Sequence, residues 1–570
     1  MRASIPPASV DVIIEQMRHA PGLARLRSLS DSFAAATDDA MATIVSEAAK
    51  FAAKELGPLN LAMDDTGATL VDGRVATAPG HAAAWRSFVA QGWPMLEHAE
   101  VIGGQGLPRL LAIAVQEIFD RHCPAFGMLP VAQRSAVKLV DQFGPDHVRA
   151  EWLPLLVSGD WGATICISEA GAGSDVGRIL TSARPRGDGS WAVSGEKMWI
   201  SFGDQNLTAR IGHCLLARTP GAAPGPAGLS LFLVPDWLPE PDGSPRRNGI
   251  SVRRIESKLG LHGSPTCALG FDDSTGWLLG TEGRGLAQMF AMITSMRLAV
   301  GAQGLGIAAG SADLAMLYAR ERRQGGGGAV AQPIIEHPDV QRELAGQAAT
   351  TEILRGLLYA LAVQADLAAH EPDDKARRDA ESLSQWLLPI VKTFGADSAF
   401  NVSSSAMQVL GGAGYTGDWP VEQNLRDSRV LSIFEGATGI QALDLVERRL
   451  LRSDGLEIFR TMARDTANSG DGAGLLFPCL DLLDDAATRL ISFDSNRDRR
   501  AAATSFLRLS ILAAGGWMAA HLLRLSSGRP TNKRLRASAM QWLSDIEVRA
   551  AVEHWKIIAG EKSISSFHDL

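Results

Sequence analysis

Five cysteines in 570 residues, none paired at Cys-x-x-Cys spacing, leave neither a zinc frame nor a disulfide scaffold to build on. Cys123, Cys166, Cys214, Cys267 and Cys479 are scattered and odd in number, which fits a reducing cytoplasm, and no metal site is expected. Basic excess is missing too. The 55 Lys and Arg stand against 63 Asp and Glu, a net charge of −8, which argues against a nucleic-acid partner. No internal repeat is found, and no low-complexity segment beyond the glycine run 325–328. The first residues carry one early charge and no long apolar run, so no signal peptide is expected. The most apolar late segment, 511–523, reads as too short to span a bilayer. What is present is ordinary for a globular chain: 46% apolar and 21% charged residues, with length for several domains and a large core.

Texture divides the chain into four segments. Residues 1–160 read as helical, with 41–54 ending at Gly57-Pro58 and 108–119 opening on Pro108. Gly103, Gly104 and Gly106 mark a loop. From 161 to 280, short apolar runs at 163–167, 191–194, 210–216, 229–234 and 266–271 alternate with Gly, Pro and Asp turns. They predict a small antiparallel β domain, a barrel or a sandwich. Residues 281–455 are helical again. Leu286, Phe290, Ile293, Arg297 and Val300 are predicted to share one helical face. Residues 456–570 carry no chemical motif. Helices are expected at 475–490, 501–525 and 538–558, with a break at 526–530. The fold class is therefore α+β: an N-terminal helical domain, a middle β domain, a C-terminal helical bundle and a further helical appendage.

Three features invite a chemical reading. Glu435 is the single acid within the apolar run Val430, Leu431, Ile433 and Phe434. Gly436 and Gly439 follow it, and Ile440, Leu443, Val446 and Leu450 fall at helical spacing. The apolar setting favours the neutral acid and the helix dipole favours the carboxylate, which is the tuning a general base needs. Taken alone, the stretch favours a helix N-terminal acid over a base. Arg297 interrupts an apolar stripe and needs an anionic or hydrogen-bonding partner, unless it snorkels to the helix edge. The glycine-rich 168–174 follows a strand, where backbone can approach a ligand closely. It is not a dinucleotide fingerprint, because no helix with an acid about twenty residues on follows.

Taken together, the stretches 166–175, 197–201, 408–415 and 434–436 occur in the order and at the separations of the acyl-CoA dehydrogenase family, which the chain resembles from about 40 to 450. The segments 102–108 and 261–267 add to the likeness. The chain most resembles the larger bacterial members with an added C-terminal helical region, a group that includes the 3-methylmercaptopropionyl-CoA dehydrogenases. The resemblance implies FAD-dependent α,β-dehydrogenation of an acyl-CoA thioester, with Glu435 as the base. It places Ile165, Ile167, Ser168, Ser174, Trp199, Ser201, Ala437, Thr438 and Gly439 along the flavin. Arg322, Gln408, Gly411 and Gly412 would reach the flavin of a neighbouring subunit. Ser174, Thr294, Arg297 and Gly436 would serve the acyl-CoA.

It further implies a homodimer or higher homo-oligomer in the cytoplasm, with an electron-transferring flavoprotein as acceptor and no transmembrane segment. Met296 stands where branched-chain and long-chain relatives carry their base, which leaves Glu435 as the matching candidate. Departures from the family are Thr294 for an acid or amide, Ala437 for a threonine and Phe434 for a tyrosine. On residues alone, Arg320, Arg322 and Arg323 form a solvated charge cluster, and Trp199 a core side chain. Two rival functions are an oxidase or alkylation-response flavoprotein of the same fold, and a non-catalytic scaffold.

Overall fold

The computed structural model describes residues 3–240, 242–468, 473–526 and 533–569. Met1 and Arg2 lie outside these residues, as does the expected break at 526–530 beyond Ser526. The chain forms two compact units: a sheet unit of residues 50–107 and 122–299, and a helical unit of residues 1–49, 108–121 and 300–570.

The sheet unit is built on seven strands: β1 Gly162–Cys166, β2 Ser182–Pro185, β3 Trp191–Ser201, β4 Ile211–Arg218, β5 Leu229–Pro235, β6 Ile250–Ile255 and β7 Thr266–Leu279. Their order is β6-β7-β3-β2-β4-β1, with β5 pairing β7 and β4. Pairing is antiparallel except at β1–β4 and at one β2–β4 bridge, so the sheet is mixed rather than purely antiparallel. A parallel pair needs a long connection, and the chain between β1 and β4, which itself contributes β2 and β3, supplies one. Two strands outrun their apolar patterns. β3 continues through Glu196 and Lys197, and β7 continues past Asp272 and Asp273 by shifting register between Phe271 and Ser274. Charges at an edge or bulge interrupt a sequence pattern without interrupting the ladder. β2, β6 and the two small hairpins Thr69–Val71/Arg74–Ala76 and Trp237–Pro239/Pro245–Arg247 are too short or too rich in Arg and Pro to read as strands.

Alternation along β4 and β5 sends side chains to two cores. Cys214, Leu216, Leu231 and Leu233 meet Val137, Val140, Trp152 and Leu156 of the helices Pro124–Phe143 and Asp146–Ser158. Leu215, Phe232 and Val234 meet Val193, Leu269 and Phe271 on the other face. Residues 285–299, the first part of the helix Gly285–Glu321, close the first core. The stripe they bury is Met289, Met292, Met296 and Ala299, with Leu286 and Ile293 only partly buried beside it and Phe290 also only partly buried. The expected face is thus displaced toward three methionines, whose flexible side chains fill irregular gaps.

The helical unit centres on residues 300–321 with the helices Pro338–His370 and Asp374–Leu410. A Cβ on Gly304 would lie 2.2 Å from the Gly395 carbonyl oxygen, so backbone touches backbone where these two helices cross. The late segments join the same unit. The helix Asn496–Ser526 packs against Phe477–Ser492, Lys533–Leu543 and Ile546–Ala559. The expected single helix over 538–558 is two, parted at Ser544 and Asp545, where Asp545 takes the non-helical N-cap position before Ile546. Segment 511–523 belongs to a helix of 31 residues. By length and hydropathy, this helix and Gly285–Glu321 could cross a membrane, yet 94% and 72% of their apolar windows are buried within the fold.

Buried charge ties the helical unit together. Arg355, fully buried, donates to both Glu117 oxygens at 2.7–3.1 Å and also reaches Glu352. Tyr359 donates to Glu117 and Gln16 to Glu352. Arg534 pairs with Glu352 at 2.8 Å and with Asp313 at 3.3 Å, and Asp313 also pairs with Arg121 at 2.9 Å. Burial alone would lower the Arg355 pKa. Glu117 and Glu352 outweigh burial and raise it well above the ordinary value.

Two outcomes follow from this packing. Arg355→Ala leaves Glu117 and Glu352 without their shared cation. Removing one partner of a buried pair costs roughly 3–5 kcal/mol, so the midpoint of chemical unfolding falls clearly below wild type. In the sheet unit, His81 lies between Phe126 and Phe202, with centroids 5.6 and 5.8 Å away, and burial lowers its pKa to about 3. The neutral ring is favoured in the fold, so its contribution is complete above the unfolded pKa of about 6.5 and is lost as pH falls from there toward 3. His81→Phe should flatten the fall in thermal midpoint measured between pH 6.5 and 4.

Candidate active site

At the end of β1 the chain leaves the sheet through Ile167, Ser168 and Glu169. Ile165, Ile167 and Ser168 are half-buried and Ser174 is exposed. A tight turn closes the segment, with Glu169 and Ala172 exchanging both backbone hydrogen bonds at 3.0 Å. Beneath it lies Lys197, with no exposed side-chain surface. Its Nζ donates to the Ile167 carbonyl at 3.0 Å and to Glu169 Oε1 at 2.8 Å. Glu169 also accepts from the Leu180 and Thr181 amides at 2.7 and 3.1 Å. Burial alone would raise the Glu169 pKa. The Lys197 ammonium and these donors outweigh it and hold the carboxyl below its ordinary range.

From strand β3, the Met198 amide donates to the Ser168 carbonyl at 2.9 Å. Trp199 has φ of +63° and is 57% exposed, so it is a surface indole rather than the core side chain that residue type suggests. Ser201 is half-buried at the strand end. In the same unit Thr294 is exposed. Arg297 is 7% exposed, its guanidinium 6.0 Å from the Phe290 ring centroid.

The helical unit carries Glu435 on a turn between residues 429–432, a short 3₁₀ segment, and the helix Thr438–Asp444. The apolar run around it divides. Leu431 enters a core with Val300, Ile307, Ala396 and Ala399, and Phe434 packs against that core. Ile433 is exposed, and Glu435 itself is half-buried. Glu435 has φ of +53° and Gly436 of +92°. A left-handed conformation outside glycine costs about 1–3 kcal/mol and persists only where its surroundings enforce it.

Two buried side chains enforce it here. Lys392 Nζ donates to the carbonyls of Leu431, Phe434 and Gly436 at 2.8, 3.0 and 3.0 Å. Gln441 Nε2 donates to those of Glu435 and Gly436 at 3.2 and 3.1 Å. Ala437 occupies the N-cap of the following helix without a side-chain cap, with Thr438 and Gly439 as its first residues. A turn of π-helix, Leu445–Leu450, then shifts the spacing of this segment.

Arg322, Gln408, Gly411 and Gly412 are all exposed. One buried cluster, containing Leu314, Val409 and Leu410 with Tyr318 and Ile334 against it, underlies both stretches. The loop after Arg322 is clasped by an Arg323–Pro333 bridge. The sheet unit thus gathers Ile165, Ile167, Ser168, Trp199 and Ser201, and also holds Ser174, Thr294 and Arg297. The helical unit gathers Glu435 to Gly439 in one turn and Arg322 with 408–412 over one cluster. Sequence reasoning missed the residues beneath these loops: Glu169 and Lys197 as a pair, Lys392 and Gln441. Lys392 had a signal. It is the one charge in the run 386–394, and a cation there must find acceptors.

The family models for the acyl-CoA dehydrogenase N-terminal, middle and C-terminal domains match residues 38–160, 164–274 and 283–451. A 3-methylmercaptopropionyl-CoA dehydrogenase of Ruegeria pomeroyi is 38% identical over 83% of this chain and 80% of its own. The crystal structure of an acyl-CoA dehydrogenase complexed with FAD from Bacillus anthracis superposes with a TM-score of 0.75 over 94% of this chain and 91% of that one, at 20% identity. A chain of the structure described as the electron transferring flavoprotein of Acidaminococcus fermentans is 26% identical. Its TM-score is 0.61, over 72% of this chain and 98% of that chain.

The family uses FAD, and the residues present fit a flat aromatic cofactor. In the sheet unit, Trp199 offers a half-bare indole next in sequence to Met198, whose amide binds the Ser168 carbonyl. In the sheet unit, added Cβ atoms at Gly171 and Gly173 would meet no atom within 4 Å, and in the helical unit the same holds at Gly411, Gly412 and Gly439, which leaves main chain open to approach in each. Three matched domains and a relative covering four-fifths of its own length lead to one conclusion: this chain is a member of the acyl-CoA dehydrogenase family, an FAD-dependent oxidoreductase.

Proposed function

We propose that the enzyme converts an acyl-CoA thioester to the 2-enoyl-CoA, with Glu435 as the base. The observation that carries this reading is the turn of Glu435, a half-buried carboxylate presented from a left-handed residue that two buried side chains hold in place. Backbone strain maintained at such expense marks functional sites. The α hydrogen of a thioester is a weak acid, so its removal needs a base in place and a polarised carbonyl. Glu435 takes the proton from the carbon next to the carbonyl. The backbone N–H of Glu435 supplies one donor to the thioester oxygen, and Arg297, Thr294, Ser174 and Gly436 contact the acyl-CoA. FAD, when bound, supplies the acceptor for the hydride that leaves the β carbon. Ile165 to Ser168, Ser174, Trp199, Ser201 and Ala437 to Gly439 hold it. An electron-transferring flavoprotein is the partner that takes the electrons on, a reading supported by the fold shared with a chain of the structure described under that name.

Substrate choice is best opened with 3-methylmercaptopropionyl-CoA, the thioester in the name of the Ruegeria pomeroyi relative, alongside saturated acyl-CoAs of rising length. Protein purified with FAD is expected to bleach its visible flavin band with at least one of them. Glu435→Gln keeps the shape and cannot accept the proton, so it should retain FAD and slow bleaching at least ~10²–10⁴-fold. Bleaching at the wild-type rate would remove Glu435 as the base.

The exposed Arg322, with Gln408, Gly411 and Gly412, is proposed to serve the flavin of a neighbouring subunit in a homodimer. A guanidinium offers a pyrophosphate a two-pronged contact, and a two-fold axis makes such a contact reciprocal. Arg322→Ala and Glu435→Gln should each be impaired alone. Reassembled together in equal amounts, they should recover roughly a quarter of wild-type activity, because half the dimers then hold one intact site. If heterodimers form and no activity returns, Arg322 does not act across an interface.

A further inference from the structure

Lys392 is 1% exposed and Gln441 fully buried, and neither belongs to the motifs that identify the family in this chain. Both stand behind the Glu435 turn with their donors spent on main-chain carbonyls. The bond from Phe434 to Glu435 is trans, since no described peptide bond is cis. In a planar trans peptide the C=O and the N–H point in opposite directions. Fixing the Phe434 carbonyl on the ammonium, 3.0 Å away, therefore aims the Glu435 N–H away from Lys392. The same argument applies one bond later, where Gln441 holds the Glu435 carbonyl at 3.2 Å and so orients the Gly436 N–H. The Gly436 carbonyl, shared by Lys392 and Gln441, closes the set. Three consecutive peptide groups are thus oriented from behind by one cation and one amide.

We infer that Lys392, assisted by Gln441, is a positioning residue for the dehydrogenation. It holds Glu435 left-handed and aims the Glu435 N–H at the thioester oxygen, so that base and oxyanion donor are set by one buried ammonium. This rests on the reading of Glu435 as the base. The geometry makes Lys392 the source of direction and Glu435 the source of chemistry, and the two roles separate experimentally. An arylacryloyl-CoA, whose conjugated thioester absorbs at longer wavelength when its carbonyl is polarised, reports the donor without turnover.

The full-length enzyme with FAD is titrated with this probe as wild type, Lys392→Met, Glu435→Gln and Gln441→Leu, with flavin content and thermal midpoint recorded for each. Lys392→Met should retain FAD, lose most of the red shift and bleach ~10²-fold more slowly, the usual effect of losing an oxyanion donor, with KM little changed. Glu435→Gln should keep the red shift and lose only bleaching. A full red shift in Lys392→Met, whatever its rate, overturns the inference and leaves the base assignment standing. Wild-type bleaching in Glu435→Gln overturns the base assignment instead. If Lys392→Met does not fold, Gln441→Leu decides: a reduced red shift with FAD retained supports the inference, and an unchanged one overturns it.

Discussion

Three carbonyl oxygens converge on the ammonium of Lys392, and the turn that bears Glu435 has its shape because they do. A left-handed glutamate would relax if its neighbours allowed it. The ammonium makes relaxation expensive, since every carbonyl that turned away would leave a buried cation short of an acceptor. The helix bearing Lys392 is in turn fixed by the crossing at Gly304 and Gly395. A backbone contact this close transmits position rather than absorbing it. Glu435, ammonium and helix crossing therefore form one mechanical chain within the helical unit.

The sheet unit solves the same problem with the same device. The segment leaving β1 is curled over Lys197, which binds the Ile167 carbonyl and the Glu169 carboxylate. In both units a partly solvent-accessible segment is moored from below by an inaccessible lysine. The difference is instructive. Lys197 binds a carboxylate as well as a carbonyl, whereas Lys392 donates to three main-chain carbonyls. An ion pair fixes two points, whereas a fan of carbonyls fixes the orientation of several peptide planes. The second arrangement suits a turn whose N–H groups must be aimed.

Much of this was legible in the residues. The helical, β and helical textures, the apolar setting of Glu435 and the burial of Arg297 all follow from local pattern. The left-handed Glu435 was not legible, because its cause lies on another helix and an isolated Phe-Glu-Gly does not demand φ of +53°. Trp199 misled for the opposite reason: indole is usually core, yet here it lies at the surface on a left-handed residue. β3 and β7 were cut short because Glu196, Lys197, Asp272 and Asp273 broke the apolar rhythm that the ladder ignores. The methionine stripe of residues 289–299 escaped because methionine sits in many contexts and leucine and phenylalanine dominate any count of faces. Glu117 and Arg355 are 238 residues apart, beyond any periodicity.

Arg534 stands far along the chain and outside every matched domain, yet it is a counter-charge for Glu352, which has no exposed side-chain surface. The appended helices are therefore more than cladding. They complete the electroneutrality of the bundle that bears Glu435. A version of this chain shortened to the matched domains would keep every residue of the proposed chemistry, and its interior would no longer balance. Glu352 would keep Arg355 and Asp313 would keep Arg121, but Glu117, Glu352 and Asp313 would then share two guanidiniums. Residues 313 and 352 are thus coupled by charge to a helix some two hundred positions downstream.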